Sequence, residues 1–310
     1  MNNKALRLHR YGPLEADTTW IDDIPDPVLR PVQVLVDVAA AAINPLDWKI
    51  RDGLMRDSMP LELPAVLGLE LSGRVVDAGD HEIFRTGDRV MGPVGGVGAY
   101  ALRVAVDAAH LCLTPPSLED TNAAAVPVAI QTAYPLVKSL GDSKNRRILI
   151  HGASGSVGSF AVQMAEAAGA VIYATASTNC LDHVRNLGAA VVIDYRHERF
   201  EDRVTDIDDV IDLVGGETLN RSWGIVRRGG TIVSTVMPDI AHRAPAHVGG
   251  QFFNMQCDGV ELARLAHDVA AGRLVSQQFE TCAFDAIPEA IERIKHGQSV
   301  GKIVAHISEC

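Results

Sequence analysis

The stretch Ile148-Leu-Ile-His-Gly-Ala-Ser-Gly-Ser-Val-Gly158 decides the fold of this chain. Its three apolar residues predict a buried strand, a turn of small residues follows, and a helical pattern begins without a gap. The turn reads Ala153-x-Gly155-x-x-Gly158, with Ala where the usual fingerprint has its first Gly. A strand, such a turn and a helix in this order are typical of a loop that binds the pyrophosphate of a dinucleotide.

The two glycines of this turn have separate predicted roles. A side chain at Gly155 would keep the backbone away from the phosphates, and one at Gly158 would hold the helix off the strand. The free N–H groups at the helix start would face the anion, which the helix dipole also favours. A tight strand-to-helix turn without a ligand is the alternative interpretation. The predicted phosphate-binding residues are Ala153, Ser154, Gly155, Ser156, Val157 and Gly158.

Size, charge and cysteine content narrow the class of protein. A chain of 310 residues, 47% of them hydrophobic, is long enough for two globular domains. The formal net charge of -11 without a basic run argues against nucleic acid as a partner, because its phosphates repel such a surface. The sequence contains no uninterrupted stretch of 18 apolar residues, so no transmembrane helix is predicted. The first residues show no apolar segment typical of a signal peptide. Five cysteines without a Cys-x-x-Cys pair predict reduced thiols and a cytoplasmic protein.

The first 115 or so residues are predicted to be rich in β-strands. Val32, Val34, Val36 and Val38 alternate with less apolar residues, which predicts a half-buried strand over 32–38. Glycines and prolines recur at short intervals through this region and favour short strands joined by long loops. The pair Pro115-Pro116 is predicted to be a linker.

The second part of the chain alternates between strand and helix patterns. Residues 122–140 are predicted to be helical, with Pro127 and Pro135 at kinks or ends. Repeated βαβ units predict a parallel sheet with helices on both faces. A closing segment, 301–307, is strand-like and is predicted to return to the first domain. The remaining predicted strands are 171–174, 191–193, 210–214 and 231–234, and helices are predicted after Ser177 or Thr178 as a cap and over 259–271.

Seven short motifs, in this order, resemble one family. They are Asn44-Pro-Leu-Asp-Trp-Lys-Ile-Arg51, Gly68-Leu-Glu-Leu-Ser-Gly73, Gly87-Asp-Arg-Val90, Gln131-Thr-Ala-Tyr134, the loop 151–158, Asp212-Leu-Val-Gly-Gly216 and Gly301-Lys-Ile-Val304. The chain resembles zinc-independent members of the medium-chain dehydrogenase/reductase superfamily, of the quinone oxidoreductase type. That resemblance implies an α/β protein, a homodimer, with cofactor and substrate between two domains. The implied domains are a GroES-like β domain (1–118 and 275–310) and a Rossmann domain with a doubly wound parallel sheet (119–274).

The chain departs from the family pattern at two places. Zinc-dependent relatives carry Gly-His-Glu where this chain has Gly68-Leu69-Glu70, and a catalytic Cys where it has Asn44-Pro45. Because Leu offers no lone pair, we expect no metal and a structural role for Glu70. Quinone oxidoreductases also carry a pattern similar to Asn-x-x-Asp-x-x-x-Arg-x-Gly-x-Tyr. This chain matches the pattern from Asn44 to Gly53, but Met55 stands at the position of the Tyr. A tyrosine proton donor is therefore not expected there.

The end of the second Rossmann strand predicts NADPH as the cofactor. An acid there would bond the ribose of NAD, whereas Tyr173-Ala-Thr-Ala-Ser-Thr178 contains none. Ser177 and Thr178 would donate hydrogen bonds to a 2′-phosphate, or serve as helix caps, or do both. Tyr195 and Arg196, after the third strand, would lie against the adenine and its phosphate, and the resemblance supports this for the Tyr.

Other expected cofactor contacts are carried mainly by the resemblance. Thr132 would approach the nicotinamide, with an ordinary helix position as the alternative. Val214 stands at a strand end that faces the ligand crevice in open α/β sheets, though the following double Gly equally suits a plain turn. The resemblance also implies cofactor contacts for Phe253 and Lys302.

The candidate substrate-side cluster is Asn44, Asp47, Trp48 and Arg51. In the functional interpretation Asn44 and an Asp47–Arg51 pair shape the mouth of the site and Trp48 forms a wall. In the structural interpretation an i, i+4 ion pair between Asp47 and Arg51 orders the segment. Asn44, Asp47 and Arg51 are the residues carried forward as catalytic candidates.

No spacing suggests a nucleophilic triad, so the chemistry falls to the cofactor. We expect a cytoplasmic NADPH-dependent reductase that passes hydride to a quinone or a similar α,β-unsaturated carbonyl. An enoyl or alkenal C=C reductase is the first alternative. The second is an NADPH-binding sensor or interaction protein without turnover, which Met55 in place of Tyr keeps open.

Overall fold

A computed structural model describes residues 3–15, 17–80 and 82–308. The strands are β1 (Asn3–Leu8), β2 (Thr19–Ile24), β3 (Gln33–Ile43), β4 (Ala65–Val66), β5 (Glu70–Asp77), β6 (Arg89–Pro93), β7 (Arg103–Asp107), β8 (Cys112–Leu113), β9 (Arg147–His151), β10 (Val171–Ala176), β11 (Val191–Asp194), β12 (Ile207–Asp212), β13 (Val226–Ser234), β14 (Gly249–Phe252), β15 (Phe279–Ala283) and β16 (Lys302–His306). The helices are α1 (Pro45–Arg51), α2 (Asp120–Ala124), α3 (Pro127–Ser139), α4 (Ser156–Ala167), α5 (Leu181–Asn186), α6 (Gly216–Ser222), α7 (Ile240–Arg243), α8 (Gly259–Ala270) and α9 (Ile287–Lys295). Among the described residues, no helix has the length and apolar character needed to cross a bilayer.

The chain forms two compact units. Unit 1 comprises residues 1–128, 257–273 and 278–310, and unit 2 comprises 129–256 and 274–277. These bounds differ from the predicted domains mainly in one segment, because α8 belongs to unit 1. A Cβ added at Gly259, the first residue of α8, would lie only 2.2 Å from the Leu111 carbonyl oxygen, so α8 packs directly on the segment before β8.

Unit 1 is built on two sheets. The larger has seven strands in the order β15-β16-β3-β5-β6-β8, with β7 also paired to β3, and the smaller has the order β2-β1-β4. Strand β3 buries Val34, Val36 and Val38 completely, as the alternation predicts. The prediction was wrong for Val32, which is exposed with a φ of 68° just before the strand begins. A left-handed residue cannot continue the pleat, so the burial pattern starts after it.

The chain returns to unit 1 at its end, as the sequence predicts. Strand β16 pairs antiparallel with β3, with Ile303 opposite Ile43 and His306 opposite Ala40. Its residues Ile303, Val304 and Ala305 are fully buried, so the strand is anchored by apolar contacts on both faces. This pairing places Lys302, the first residue of β16, near the end of β3.

Unit 2 is a parallel six-stranded sheet. Its order is β11-β10-β9-β12-β13-β14, and every pair in it runs parallel. In sequence order this is 3-2-1-4-5-6, the doubly wound arrangement of a Rossmann domain. Strand β9 buries Ile148, Leu149 and Ile150 completely, as expected for a central strand covered on both faces. The predicted fold class is confirmed.

Two helix predictions need adjustment. Pro127 is the first residue of α3, where its missing N–H costs nothing, but Pro135 lies inside that helix. Neither Ser177 nor Thr178 caps α5, because a 3₁₀ turn over Thr178–Cys180 intervenes and Cys180 precedes the α-helix. Gly188, with a φ of 109°, follows the end of α5 as predicted.

Candidate functional site

The loop between β9 and α4 in unit 2 has the geometry of a phosphate cradle. Gly155 is the N-cap residue of α4, a helix of 12 residues whose first N–H groups have no partner within the helix. A Cβ added at Gly158 would lie 2.2 Å from the Gly152 carbonyl oxygen, so only Gly lets the helix approach the strand. At Gly155 an added Cβ would lie 3.3 Å from the same carbonyl oxygen, a tight contact but a far milder one than that at Gly158. The structure therefore bears out the packing role predicted for Gly158, and the role of Gly155 towards a phosphate stays a prediction.

Ala153 replaces the first Gly of the fingerprint without strain. Its side chain is fully buried, and its N–H donates to the Thr175 carbonyl oxygen at 3.3 Å. The left-handed conformation of the turn falls instead on Gly152, which has a φ of 74°. The loop thus keeps the backbone shape of a dinucleotide-binding turn, and the residues present fit a pyrophosphate at the start of α4.

Gln277 is a loop contact that the sequence analysis missed. Ser156 Oγ donates to Gln277 Oε1 at 2.7 Å, and Gln277 Nε2 donates to the Ser154 carbonyl oxygen at 2.8 Å. Beside it, Gln163 bonds both the N–H and the C=O of Val275 at 2.8 Å. No local pattern could reveal these pairs, because more than 100 residues separate the partners. The two hydrogen bonds of Gln277 fix the position of the loop and occupy the hydroxyl hydrogen of Ser156.

The ends of β10 and β11 carry the residues predicted to face the adenosine part of the cofactor. Ala176 pairs in register with Asp194, whose carboxylate accepts from Thr178 Oγ1 at 2.6 Å and from the Arg196 N–H at 3.0 Å. The hydrogen bond from Thr178 is the main reason that the pKa of Asp194 is lowered. The sequence analysis found no acid at the second strand, but this one stands beside it on the third. Because Thr178 donates its hydroxyl hydrogen to Asp194, the expected donation from Thr178 to a 2′-phosphate does not fit this arrangement.

Four more of the residues predicted to contact the cofactor are at least partly exposed to solvent. Ser177 is half-buried, Arg196 is exposed, and Tyr195 is 58% exposed, which leaves a ring face free for stacking. Thr132 lies half-buried in α3. These positions neither contradict nor test the predicted contacts.

Asp212 shapes the turn that carries Val214. Its carboxylate accepts from the N–H groups of Val214 at 3.2 Å and Gly215 at 2.8 Å, and from Ser234 Oγ at 2.7 Å. The Phe253 N–H donates to the Ser234 carbonyl oxygen at 2.9 Å. The structure thus brings Val214 and Phe253 to the same end of the parallel sheet through Ser234, and that end is where ligands bind in this class of fold.

His151, the last residue of β9, is a buried neutral imidazole. Its Nδ1 lies 3.1 Å from Thr175 Oγ1 and its Nε2 lies 2.9 Å from Ser222 Oγ. Because Ser222 Oγ donates its own hydrogen to the Thr218 carbonyl oxygen, Nε2 carries the proton and donates to Ser222. Burial, with a smaller contribution from Arg221, lowers the pKa of His151 to about 3. This side chain holds the sheet end together and is not a general base.

Unit 1 contains a buried polar cluster formed by Asn44, Asp47, Glu70, Tyr100 and Lys302. Lys302 Nζ lies 2.5 Å from Glu70 Oε1 and 3.1 Å from Asn44 Oδ1, and Asn44 Nδ2 donates to Glu70 Oε1 at 2.9 Å. The other Glu70 oxygen accepts from the Val128 N–H at 2.7 Å. Glu70 is therefore the structural carboxylate that the sequence predicts, and the cation it holds is a lysine.

Asp47 and Tyr100 form the deep end of the polar cluster. Tyr100 Oη donates to Asp47 Oδ2 at 2.9 Å, and the Asn44 N–H donates to the same oxygen at 2.7 Å. Burial raises the pKa of Asp47 to about 7 despite these two bonds. The ring of Tyr100 packs on Gly68, where an added Cβ would lie 2.5 Å from a ring carbon. The sequence analysis missed Tyr100, although the Gly68-x-Glu70 motif was visible.

The expected Asp47–Arg51 pair is not formed. The Asp47 carboxylate turns back to the start of α1 to accept from the Asn44 N–H, whereas Arg51 pairs with Asp52 at 2.7 Å and with Glu292. Capping the first turn of α1 removes Asp47 from the reach of Arg51. Both residues are fully buried, but they belong to different networks, and Arg51 ties α1 to α9.

The positions around Glu70 provide no metal ligands. Leu69 is buried, and the described residues contain no group of three or more His, Cys, Asp or Glu side chains that could hold a metal ion. The four cysteines in the described part of the chain are free thiols. Met55 is half-buried against the apolar core of unit 1.

Comparison with known proteins gives consistent matches along the chain. Two family models match, described as an alcohol dehydrogenase GroES-like domain over residues 30–116 and a zinc-binding dehydrogenase over 187–304. The chain is 32% identical to the 2-methylene-furan-3-one reductase of Solanum lycopersicum, over 90% of this chain and 73% of that protein. It is 30% identical to the mitochondrial NAD(P)H oxidoreductase RTN4IP1 of Mus musculus, over 98% and 89%. The quinone oxidoreductase structure from Coxiella burnetii superposes with a TM-score of 0.89 at 29% identity, covering 99% of this chain and all of that one.

Proposed function

We propose, from the premise that this chain belongs to the zinc-independent quinone oxidoreductase type of the medium-chain dehydrogenase/reductase superfamily, that it is an NADPH-dependent reductase of quinones or enones. A nicotinamide cofactor supplies the hydride in this chemistry. The observation that carries the proposal is the loop at Gly152–Gly158, where the close approach at Gly158 and the position of Gly155 as N-cap of α4 suit a bound pyrophosphate. The protein itself would hold the nicotinamide ring close to the electrophilic atom of the acceptor and exclude water.

NADPH is the proposed cofactor because the turn after β10 offers neutral donors. Ser177 has a hydroxyl at this turn, and Arg196 adds a positive charge after β11. Asp194 opposes this preference with a negative charge, but its oxygens are engaged by Thr178, the Arg196 N–H and His197 at 2.9 Å. These hydrogen bonds favour the charged form of Asp194, so the proposed preference depends on Ser177 and Arg196. We propose that NADPH is bound more tightly than NADH.

The proposed acceptor is a small quinone or α,β-unsaturated carbonyl compound. One relative is named 2-methylene-furan-3-one reductase and one structural neighbour is named quinone oxidoreductase, and the polar cluster of Asn44 and Lys302 supplies a positive charge that can meet a carbonyl oxygen. Arg51 orders α1 beneath it rather than meeting substrate, because its guanidinium is fully buried against acids. We further propose a homodimer and a cytoplasmic location, with the cysteines reduced.

The test is a steady-state assay with the full chain, NADPH or NADH, and two acceptors, a soluble quinone and a small alkyl enone. NADPH oxidation with either acceptor supports the proposal, and a higher kcat/KM with the quinone makes the quinone the preferred acceptor. Preference for the enone would favour the alternative, an enoyl or alkenal C=C reductase that uses the same cofactor. Tight NADPH binding in calorimetry without turnover of either acceptor would identify a sensor or interaction protein and overturn the proposal.

A further inference from the structure

We propose that the ammonium group of Lys302 stabilises the negative charge that develops on the acceptor's carbonyl oxygen. The inference rests on the proposed reductase function. When hydride adds to the electrophilic carbon, the π-electron pair moves to the oxygen, and a proton from water completes the reduction. In zinc-dependent chemistry a metal ion would hold that oxygen. Here Glu70, the residue after Leu69, holds Lys302, so a fixed ammonium group supplies the positive charge that the metal ion would supply.

A count of donors singles out Lys302 within the polar cluster. Both amide hydrogens of Asn44 are used, by Glu70 Oε1 at 2.9 Å and the Ala42 carbonyl oxygen at 3.3 Å. The one hydroxyl hydrogen of Tyr100 goes to Asp47. Lys302 Nζ has three hydrogens and meets two acceptors, Glu70 and Asn44, in the described part of the chain. One N–H is therefore left for an oxygen that comes from outside.

The polar cluster is accessible only at the end where Lys302 and Asn44 lie. Glu70, Asp47 and Tyr100 have no solvent exposure, whereas Lys302 and Asn44 keep 5% and 8%. An oxygen atom that reaches the cluster meets these two residues first. Because Asn44 has no spare hydrogen, its Oδ1 serves to orient Lys302, and the positive charge is presented by Nζ.

The ammonium is held in place before any substrate arrives. Glu70 is itself fixed, since it accepts from Val128, Asn44 and Lys302 together. A preorganised charge in a region with little water stabilises a developing oxyanion without the cost of reorienting solvent. The long lysine side chain, which would be mobile at a surface, is immobilised by two acceptors and by burial of its strand.

The test compares the double variant Lys302→Met/Glu70→Gln with the wild type. The double change avoids an unpaired buried carboxylate, which would destabilise the fold by itself. We expect kcat/KM for the alkyl enone to fall by about 10²- to 10³-fold, the scale for loss of one oxyanion donor, with NADPH affinity unchanged. The fall should be smaller for a quinone, whose charge is delocalised over a ring. Lys295→Met, which removes a lysine paired with Asp52 at 2.7 Å in the same unit, is the matched control and should keep full activity.

A second readout needs no turnover. The probe is 4-nitrophenol, whose ionised form is yellow and places part of its negative charge on the phenolate oxygen. The wild-type protein should bind it and shift its titration towards the phenolate, and the double variant should not. If the double variant fails to fold, Lys302→Arg replaces it, and the phenolate shift should persist because the charge is kept.

Three outcomes would overturn the assignment. The first is full activity in the double variant while the wild type is active, which leaves the proposed function standing. The second is loss of NADPH binding in that variant, which would return Lys302 to the cofactor-binding role implied by the family resemblance. The third is a wild type that turns over neither acceptor, since the proposed function then falls and the role of Lys302 falls with it.

Discussion

Tyr100 Oη donates a hydrogen bond of 2.9 Å to Asp47 Oδ2, and neither side chain has any contact with solvent. The other carboxylate oxygen of Asp47 is buried without a hydrogen-bond partner in the described part of the chain. A buried carboxylate with one unsatisfied oxygen is costly to ionise, which explains why its pKa rises from 3.8 to about 7. The same pair also fixes the Asn44 backbone through its N–H.

Asp47→Asn is predicted to change how stability depends on pH. The native state binds the Asp47 proton more tightly than the unfolded state, so this group contributes stability below pH 4 that is lost as pH rises towards 7. A shift of this size corresponds to about 4 kcal/mol. The stability of the variant relative to wild type should therefore increase between pH 4 and pH 7. Urea unfolding at several pH values measures this, with the exposed Asp182→Asn as control, and parallel pH curves would contradict it.

Two glycine variants of the phosphate loop are predicted to fail in different ways. Gly155→Val should abolish NADPH binding in a folded protein, because its Cβ meets the Gly152 carbonyl oxygen only at 3.3 Å and its branches would stand at the start of α4, where the pyrophosphate is proposed to bind. Gly158→Val should destabilise the fold, because its Cβ alone would overlap the Gly152 carbonyl oxygen. Calorimetric titration with NADPH and thermal unfolding measure both. Normal NADPH binding by folded Gly155→Val would show that this loop is not the cradle.

Cofactor preference is predicted to depend on the turn after β10. Ala176 is buried opposite Asp194, so an acid there would lie beside another carboxylate and disturb the sheet. Ser177→Asp instead places the acid on a half-buried position at the turn. It should lower the ratio of NADPH to NADH affinity by about tenfold, on the scale of one charge pair near a surface. Titration of both cofactors, with Ser177→Ala as the uncharged control, decides this, and an unchanged ratio would remove Ser177 from the 2′-phosphate site.

Zinc is predicted to be unnecessary. Leu69 stands where a ligand would be needed, and the neighbouring Glu70 is occupied by Lys302 and Asn44. Chelators should leave NADPH oxidation unchanged, and elemental analysis should find no stoichiometric zinc. About one tightly bound zinc per chain, together with loss of activity on its removal, would contradict this prediction and indicate a zinc-dependent dehydrogenase.

The sequence predicted best what depends on local pattern. The strand at Ile148, the turn with Gly155 and Gly158, and the parallel sheet follow from periodicity, glycine spacing and repeated βαβ units, whereas the doubly wound order was implied by the family resemblance. The family resemblance, rather than the local pattern, implied a first domain built from both ends of the chain, and β16 pairs with β3.

Long-range pairing was beyond the sequence. Asp47 and Arg51 are separated by one helical turn, and their spacing predicts an ion pair, but each finds a partner that the spacing does not reveal. The same limit hid the contacts of Gln277 with the phosphate loop and of Lys302 with Glu70, which lies 232 positions away. Such partners depend on how the sheets assemble, and tertiary contacts override local preference.

His151→Gln is predicted to remove a pH dependence opposite in sign to that of Asp47. The folded-state pKa of about 3 lies below the ordinary value of 6.5, so His151 favours folding above pH 6.5, and this stability is lost as pH falls towards 3. At a pH where His151 is protonated in the unfolded state and in the folded state as well, the stability lost relative to high pH is about 5 kcal/mol. The variant should thus lose less stability than wild type on acidification from pH 6.5 to pH 4, since Gln does not titrate.

The variant is expected to be less stable at pH 7, because Gln only partly replaces the hydrogen bonds to Thr175 and Ser222. Its slope against pH, rather than its stability at one pH, is therefore the quantity to measure, by urea unfolding. His267→Gln, on the exposed face of α8, is the control and should keep the wild-type slope. A wild-type slope in His151→Gln as well would mean that the imidazole is protonated over the same pH range in the folded and the unfolded state, which would contradict the lowered pKa of His151.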